Sequence, residues 1–325
     1  LIIQDGLQGP RFRGDDIGVQ GWHRGQANQK QLPWDCFFAY YRLQIVAIGI
    51  NRGFMAKKDN NQNSKAQGNG AANVSEKAPA AGLPLFYTNP MPLDAKAHAN
   101  LSLKKNFGFG FTKEVNAVPV NLIEMPQICH AYPIAFGPDE NATPVAILGL
   151  RDNENLFLGQ KSGRWEEATY IPAYIRRYPF IFSEMPDKDQ LSLCIDMNDD
   201  IVEKSGEQPF FSEDGKPSPL SSNALEFCKS YHAAAQQTLE FSKALAASGL
   251  LVQREAQINV AGNRRINFSG FRIIDEQKLA QLDDKTFLEW RAKGWLPFIY
   301  AHLFSGAQWQ RLTYLLNQRL EKEAA

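Results

Sequence analysis

Two adjacent arginines, Arg176 and Arg177, stand in the stretch YIPAYIRRYPFIF between Pro172 and Pro179, among Tyr170, Tyr174 and Tyr178, with Trp165 just upstream. A guanidinium pairs bidentately with a carboxylate or phosphate and also stacks on aromatic faces, so these residue types suit the gripping of a sugar ring, a peptide or a small ligand. They equally suit the wall of a packed sheet, because tyrosine buries its ring and leaves its hydroxyl wet. If the segment is a strand, alternation sends the two arginines to opposite faces. If it is a short helix with Pro172 in its first turn, they lie about 100° apart. Neither geometry makes a parallel clamp on one phosphate. One arginine is expected to face inward or along an edge and pair with Asp152, Glu154 or Glu184, which leaves the other for a ligand. Trp165, Tyr170, Tyr174, Arg176, Arg177 and Tyr178 are therefore the candidate ligand-binding residues.

His130, which follows Cys129, and Asp196, at the end of the apolar run LSLCID, are secondary candidates. Asp196, Asp199 and Asp200 form a carboxylate cluster of the kind hard cations favour, but the glycine and the distal glutamate of a calcium loop are missing. A solvated strand end with Asp196 half-buried is the expectation. Cys228 and His232 stand four residues apart on a helical pattern, and zinc accepts both types, yet a site needs two further ligands. The expectation is a core thiol beside a histidine at the polar edge, and no metal or cofactor. The sequence contains no G-x-S-x-G elbow, no Walker loop and no G-x-G-x-x-G. Glu166 and Glu167 are adjacent and solvent-facing, which does not make a glycosidase acid/base pair.

The elements that must position these groups fall in one region. The 325 residues are 44% hydrophobic and 22% charged, which a soluble globular chain with a sizeable core would show. Thirty-five basic residues balance thirty-five acidic ones. No one-signed field draws such a chain to nucleic acid, and a basic groove lined by stacking aromatics is lacking. Cys36, Cys129, Cys194 and Cys228 include no CxxC pair, and the last three sit among apolar residues, as reduced buried thiols do.

Residues 1–82 carry ten basic and six acidic residues. The tract GPRFRGDDIGVQGWHRG resembles a translated dispersed bacterial intergenic repeat, so residues 1–54 are expected to be a non-native leader or a mis-assigned gene start. Residues 55–82, rich in Asn, Gln, Ser, Ala and Gly, are expected to be a disordered polar linker. The apolar segment CFFAYYRLQIVAIGI is fifteen residues long with Arg42 at its centre. A membrane span needs about 20 apolar residues and tolerates a central arginine poorly. No membrane span is expected, and sequence signals favour the cytoplasm; the cell surface is reachable through a secretor that needs no N-terminal signal.

From Leu83 the pattern is α+β. LPLFY, FGFGF, AVPVNL, YPIAF, VAILGL, NLFL, FIFS and LSLCID are short strand-like runs broken by turns, too close together for parallel crossovers, hence mainly antiparallel. EMPQICHAYP suits a helical turn. The second half holds a long amphipathic helix over about Ser222–Ser248, with Leu225, Cys228, Tyr231, Ala235, Leu239, Ser242 and Leu245 on one stripe and Gly249 as its stop. EAQINV and RRINFSGF flank Ala261, Gly262 and Asn263 as a β-hairpin. Further helices run from Glu276 to the end, and Ser305 with Gln308 has capping-box spacing at the last one.

YTNPMPLD, AVPVNLIEMPQICHAYPIAF, PVAILGLRDNENLFL, GRWEEATYIPAYIRRYPF, LSLCID, SGFRIIDEQKLAQL and GWLPFIYAHLFSGAQWQRL together resemble the bacterial SapC family over about residues 84–320. The SapC-like domain is expected over 83–322. The resemblance implies a relation to a paracrystalline surface layer and transfers no catalytic residue. A non-catalytic binding or accessory factor for a surface-layer or envelope component is the expectation. A cytosolic enzyme, or an enzyme accessory, acting on a peptide or small molecule is the alternative, with Arg176, Arg177, Asp196 or His130 in its pocket. The partner in either case is an envelope component or a small ligand.

Overall fold

The computed structural model describes residues 83–185, 188–260 and 264–324. The leader, the polar linker, the apolar segment with Arg42, and the turn Ala261–Asn263 lie outside the described residues. The first half contains β1 (Pro90–Pro92), β2 (Leu101–Leu103), β3 (Ala117–Pro119), α1 (Met125–Ile128), β4 (Ile134–Phe136), β5 (Pro144–Ile147), α2 (Ala173–Arg177), β6 (Phe180–Met185), β7 (Lys188–Asp196) and β8 (Val202–Lys204). The second half contains α3 (Pro219–Ala247), β9 (Leu251–Val260), β10 (Arg264–Ile274), α4 (Glu276–Ala280), α5 (Asp284–Ala292), α6 (Leu296–Ser305) and α7 (Gln308–Ala324). The fold is α+β, and every strand pair is antiparallel. Among the described residues no helix is long and apolar enough to cross a membrane.

Among the described residues three sheets form, with strand orders β1-β7-β6, β3-β5-β4-β10-β9 and β2-β8. Three of the expected strands do not: LPLFY, FGFGF and NLFL, the last being a turn with one isolated bridge from Leu158 to Trp165. LPLFY turns at Leu85 and Phe86, and FGFGF becomes turns and a short 3-10 helix at Gly110–Thr112. The physical reason is aromatic packing: Phe111 lies 4.2 Å and Phe107 6.3 Å from the Tyr178 ring, while Phe109 meets Trp165 at 5.7 Å. Alternate residues of a flat strand share one face, so a strand could not send these three rings to two neighbours.

Two hydrophobic cores result among the described residues. The larger gathers Val118, Met125, Tyr132, Phe136, Ile147 and Phe157 with Phe241, Trp295, Leu312 and Leu316 from the later helices. The smaller gathers Tyr87, Tyr178, Phe180, Ile195, Phe210 and Cys228. Helix α3 serves both, since Cys228 belongs to one core and Phe241 and Leu245 to the other. Its 29 residues rise about 44 Å at 1.5 Å each, long enough to run past both. The Ser218 side chain caps it by accepting from Ser221 N–H, Pro219 starts it, and Gly249 at φ +74° follows its end, as a left-handed stop requires. His232 is buried on this helix and does not sit at a polar edge. The reason is that its side of the helix faces β6, with the Phe182 ring 6.5 Å away.

Sheet β3-β5-β4-β10-β9 has a weak seam, where β4 and β10 pair only at Arg272↔Phe136. Helix α6 closes it. His302 accepts from Ile274 N–H through Nε2 at 3.1 Å and holds the Ile134 carbonyl with Nδ1 at 2.9 Å, so Nδ1 carries the proton. Ser305 accepts from Ile134 N–H at 2.9 Å and donates to the His302 carbonyl at 2.6 Å. Ser305 thus ends α6 and ties it to β4; it does not cap α7. At the other end of the sheet, Arg319 of α7 donates to the carbonyls of Asn155, Leu156 and Leu158, which hold this segment against the helix.

Burial pushes the His302 imidazole down to about 4, below its ordinary 6.5. Between these values the unfolded chain binds a proton that the folded chain does not. The stabilising effect of neutral His302 is therefore complete above pH 6.5 and is lost as pH falls toward 4, by roughly 3 kcal/mol over the whole window. Urea unfolding at pH 7.5 and 4.5 should show this loss, and His302→Gln, less stable at pH 7.5, should lose distinctly less between the two. An equal loss in both proteins would mean that His302 does not titrate this way.

Candidate functional site

Helix α2 is only five residues long, so its position depends on what holds its ends. It starts after Pro172, whose φ of −52° and ψ of 140° lie outside the helix, and stops at Tyr178, where ψ of 136° suits a residue preceding proline. At its start Glu124, 4% exposed, accepts from Ala173 N–H at 2.6 Å, from the Tyr170 hydroxyl at 2.9 Å and from Asn121 N–H at 3.2 Å. Burial raises the Glu124 carboxyl above the ordinary carboxylate range, against the opposite pull of Ala173 N–H and the Arg176 charge. Just past its end Asp196, fully buried, accepts from the Tyr178 hydroxyl at 3.0 Å and from the N–H groups of Thr88 and Asn89 at 2.8 and 2.6 Å. Two buried carboxylates therefore fasten the segment to elements distant in sequence.

The two arginines meet different surroundings. Arg176 donates to the Ile171 carbonyl at 2.9 Å and to the Tyr170 hydroxyl at 2.7 Å, with its guanidinium carbon 5.2 and 5.3 Å from the Tyr170 and Phe227 ring centroids. Through Tyr170 it belongs to the Glu124 network. Arg177 lies among three tyrosines, with its guanidinium carbon 4.5 Å from the Tyr231 centroid, 4.7 Å from Tyr174 and 5.7 Å from Tyr87. Its Nε has no solvent contact and no hydrogen-bond partner among the described residues. The expected partners Asp152 and Glu154 are not used. Asp152 is exposed, and Glu154 pairs with Arg151 at 2.5 Å and faces Arg319 at 3.6 Å. The Glu184 side chain lies outside the described residues. The reason is that α2 turns Arg177 toward α3 and the smaller core, whereas Glu154 serves α7.

Cys228, Tyr231 and His232 share the face of α3 that meets Arg177, at the three- and four-residue spacing of one helical side. Burial pushes the Cys228 thiol up to about 12. Burial first and the Arg177 charge second push the His232 imidazole down to about 4, and its Nε2 has no hydrogen-bond partner among the described residues. Burial also raises the Tyr87, Tyr174 and Tyr231 hydroxyls, so the three rings are neutral around the cation. The fixed guanidinium beside the Cys228/His232 pair would repel a metal ion. Among the described residues no group of three or more His, Cys, Asp or Glu is placed to hold one.

The remaining candidates disperse. Trp165 lies in the larger core, its indole N–H donating to the Tyr132 hydroxyl at 3.0 Å. Tyr132 in turn donates to the Tyr170 carbonyl at 2.6 Å. Tyr178 belongs to the smaller core. His130 is exposed after α1. Asp196 is not half-buried at a solvated strand end but wholly enclosed, since both of its oxygens already accept from Thr88, Asn89 and Tyr178. Glu124, Tyr87, Tyr231 and His232 complete the arrangement from outside the arginine stretch. For His232 the four-residue spacing from Cys228 was a visible signal. Nothing near Glu124 or Tyr87 in the sequence points to Arg176 or Arg177.

The SapC family model matches residues 93–312. That is more than half of the chain, and the protein belongs to the SapC family. No curated protein and no solved structure matches it.

Replacing either buried carboxylate leaves enclosed donors without an acceptor, at about 1–3 kcal/mol per group. Asp196→Asn should therefore lower stability by roughly 2–4 kcal/mol in urea titrations, whereas Asp199→Asn, at an exposed position, should change it by less than about 0.5 kcal/mol. Equal midpoints for the two variants would mean that Asp196 does not fasten α2.

Proposed function

We propose that the protein is a non-catalytic binding or accessory factor for a cell-surface component, and that it engages this component where α2 meets α3. The observation that supports this reading most is the Arg177 guanidinium, held among Tyr87, Tyr174 and Tyr231 with no ion pair among the described residues. Enclosing a cation without a counter-charge costs several kcal/mol, and three aromatic faces offset part of that. A ligand that completes the charge balance offsets the rest. Proton transfer and nucleophilic attack need groups poised near the working pH. Cys228 at about 12 and His232 at about 4 are both far from it. The groups around Arg177 suit holding a ligand better than converting one. Membership of the SapC family, whose name refers to a surface layer, gives the envelope as the place to look.

The test has two parts. Protease shaving of intact cells that carry a C-terminally tagged chain should remove the protein, and retention in the cytosol would overturn the envelope role. Purified protein should also sediment with envelopes isolated from its own cells. Arg177→Met, checked for folding by its thermal transition, should lose at least tenfold in that binding, whereas Tyr314→Ala, at an exposed position of α7, should bind as the unchanged protein does. If Arg177→Met fails to fold, Arg177→Lys keeps the charge without the planar fork and serves in its place. Undiminished binding by the arginine variant would remove the corner from the proposal.

A further inference from the structure

Arg177 and His232 each carry one enclosed nitrogen, Nε and Nε2, without a partner among the described residues. They come from different elements, α2 and α3, and His232 is only 6% exposed. Buried polar groups are nearly always hydrogen-bonded, so two orphans close enough for the Arg177 charge to act on His232 mark a place where an acceptor belongs. Arg177 fixes the sign. Beside a permanent guanidinium the acceptor is an anion, and with His232 neutral the Nε2–H tautomer supplies a second donor. The tyrosine faces attract the cation and the Tyr87 and Tyr174 hydroxyls hydrogen-bond to it, which leaves the partnerless Nε–H for one oxygen of a planar or tetrahedral oxyanion. Tyr174 is buried, but Arg176, Arg177, Phe227 and Tyr231 are only partly buried, so the corner borders solvent.

We infer that the α2–α3 corner is a receptor for one acidic group, a carboxylate or phosphate oxyanion, bound between the Arg177 guanidinium and the His232 imidazole. The inference rests on the binding role proposed above and names the chemistry that the ligand must present there.

The probes are sodium phosphate and sodium acetate, titrated at constant ionic strength against sodium chloride. The readout is the His232 imidazole signal in proton NMR of the full chain, assigned with His232→Phe; the chain has five histidines. A saturable shift with phosphate or acetate, absent with chloride, is expected. Arg177→Lys should weaken its midpoint at least tenfold, because lysine keeps the charge but has no N–H at the Nε position. Saturation with phosphate alone assigns a phosphoryl group, and with acetate alone a carboxylate. No saturable shift with either, or an unchanged midpoint in Arg177→Lys, overturns the inference. Envelope binding that still depends on Arg177 while both anions fail would leave the binding role standing and remove only the oxyanion. Anion binding without any envelope binding would do the reverse.

Discussion

A carboxylate taken out of water must be ringed by donors, and the placement of α2 follows from two that are. Glu124 gathers Ala173 N–H, Asn121 N–H and the Tyr170 hydroxyl at the start of the helix, and Asp196 gathers Tyr178, Thr88 and Asn89 just beyond its end. Breaking either set leaves several enclosed groups unsatisfied at once, which costs more than any single surface contact in the molecule supplies. Five residues that are too few to form a stable helix alone are therefore held in one position and one rotation. The rotation is what matters chemically. It sends Arg176 toward Tyr170 and Phe227, and Arg177 toward the Cys228, Tyr231 and His232 face of α3.

The same geometry explains how the two cores behave as parts of one body. Ile175 belongs to the larger core and Tyr178 to the smaller, so α2 is a bridge as well as a mount. Helix α3 is the second bridge. Thr238 accepts from Leu122 N–H at 3.0 Å, and the Asn121 side chain donates to the Tyr231 carbonyl at 3.3 Å, which docks the turn that carries Glu124 onto α3. Glu124, α2 and α3 thus form a closed triangle of hydrogen bonds and packing. A change at one side is felt at the other two.

Local pattern was enough where local physics decides. The span of α3 followed, to within three residues at its start, from its stripe and its glycine stop, and the β9–β10 pairing followed from two alternating runs about a turn. The antiparallel character of the sheets followed from strand spacing. Pattern failed where distant aromatics compete with local propensity. LPLFY and FGFGF look like strands, yet Phe86, Phe107 and Phe111 instead collect around Tyr178. At the site, the arginines and their flanking tyrosines were legible as one unit, and so was the Cys228/His232 spacing. What was hidden was that these two units meet. No pattern within thirty residues of Arg177 announces Tyr87 or Tyr231, and a glutamate after two apolar residues gives no hint that it is enclosed. Nor did His232 betray its burial, since one histidine on a mixed stripe fits either side of a helix.

The anchoring of α2 at both ends has a consequence for chain length. Ala173 and Tyr178 are tied to carboxylates on separate elements, Glu124 just before α1 and Asp196 at the end of β7, and the two ties lie five residues apart. This interval acts as a ruler. One residue added or removed inside it would turn the helix by about 100° and shift its end by 1.5 Å, so Arg177 would leave its three rings or one carboxylate would lose its hydroxyl partner. Substitutions at exposed positions nearby meet no such restriction. Variation in this protein is thus freer in residue type around the corner than in residue number across it.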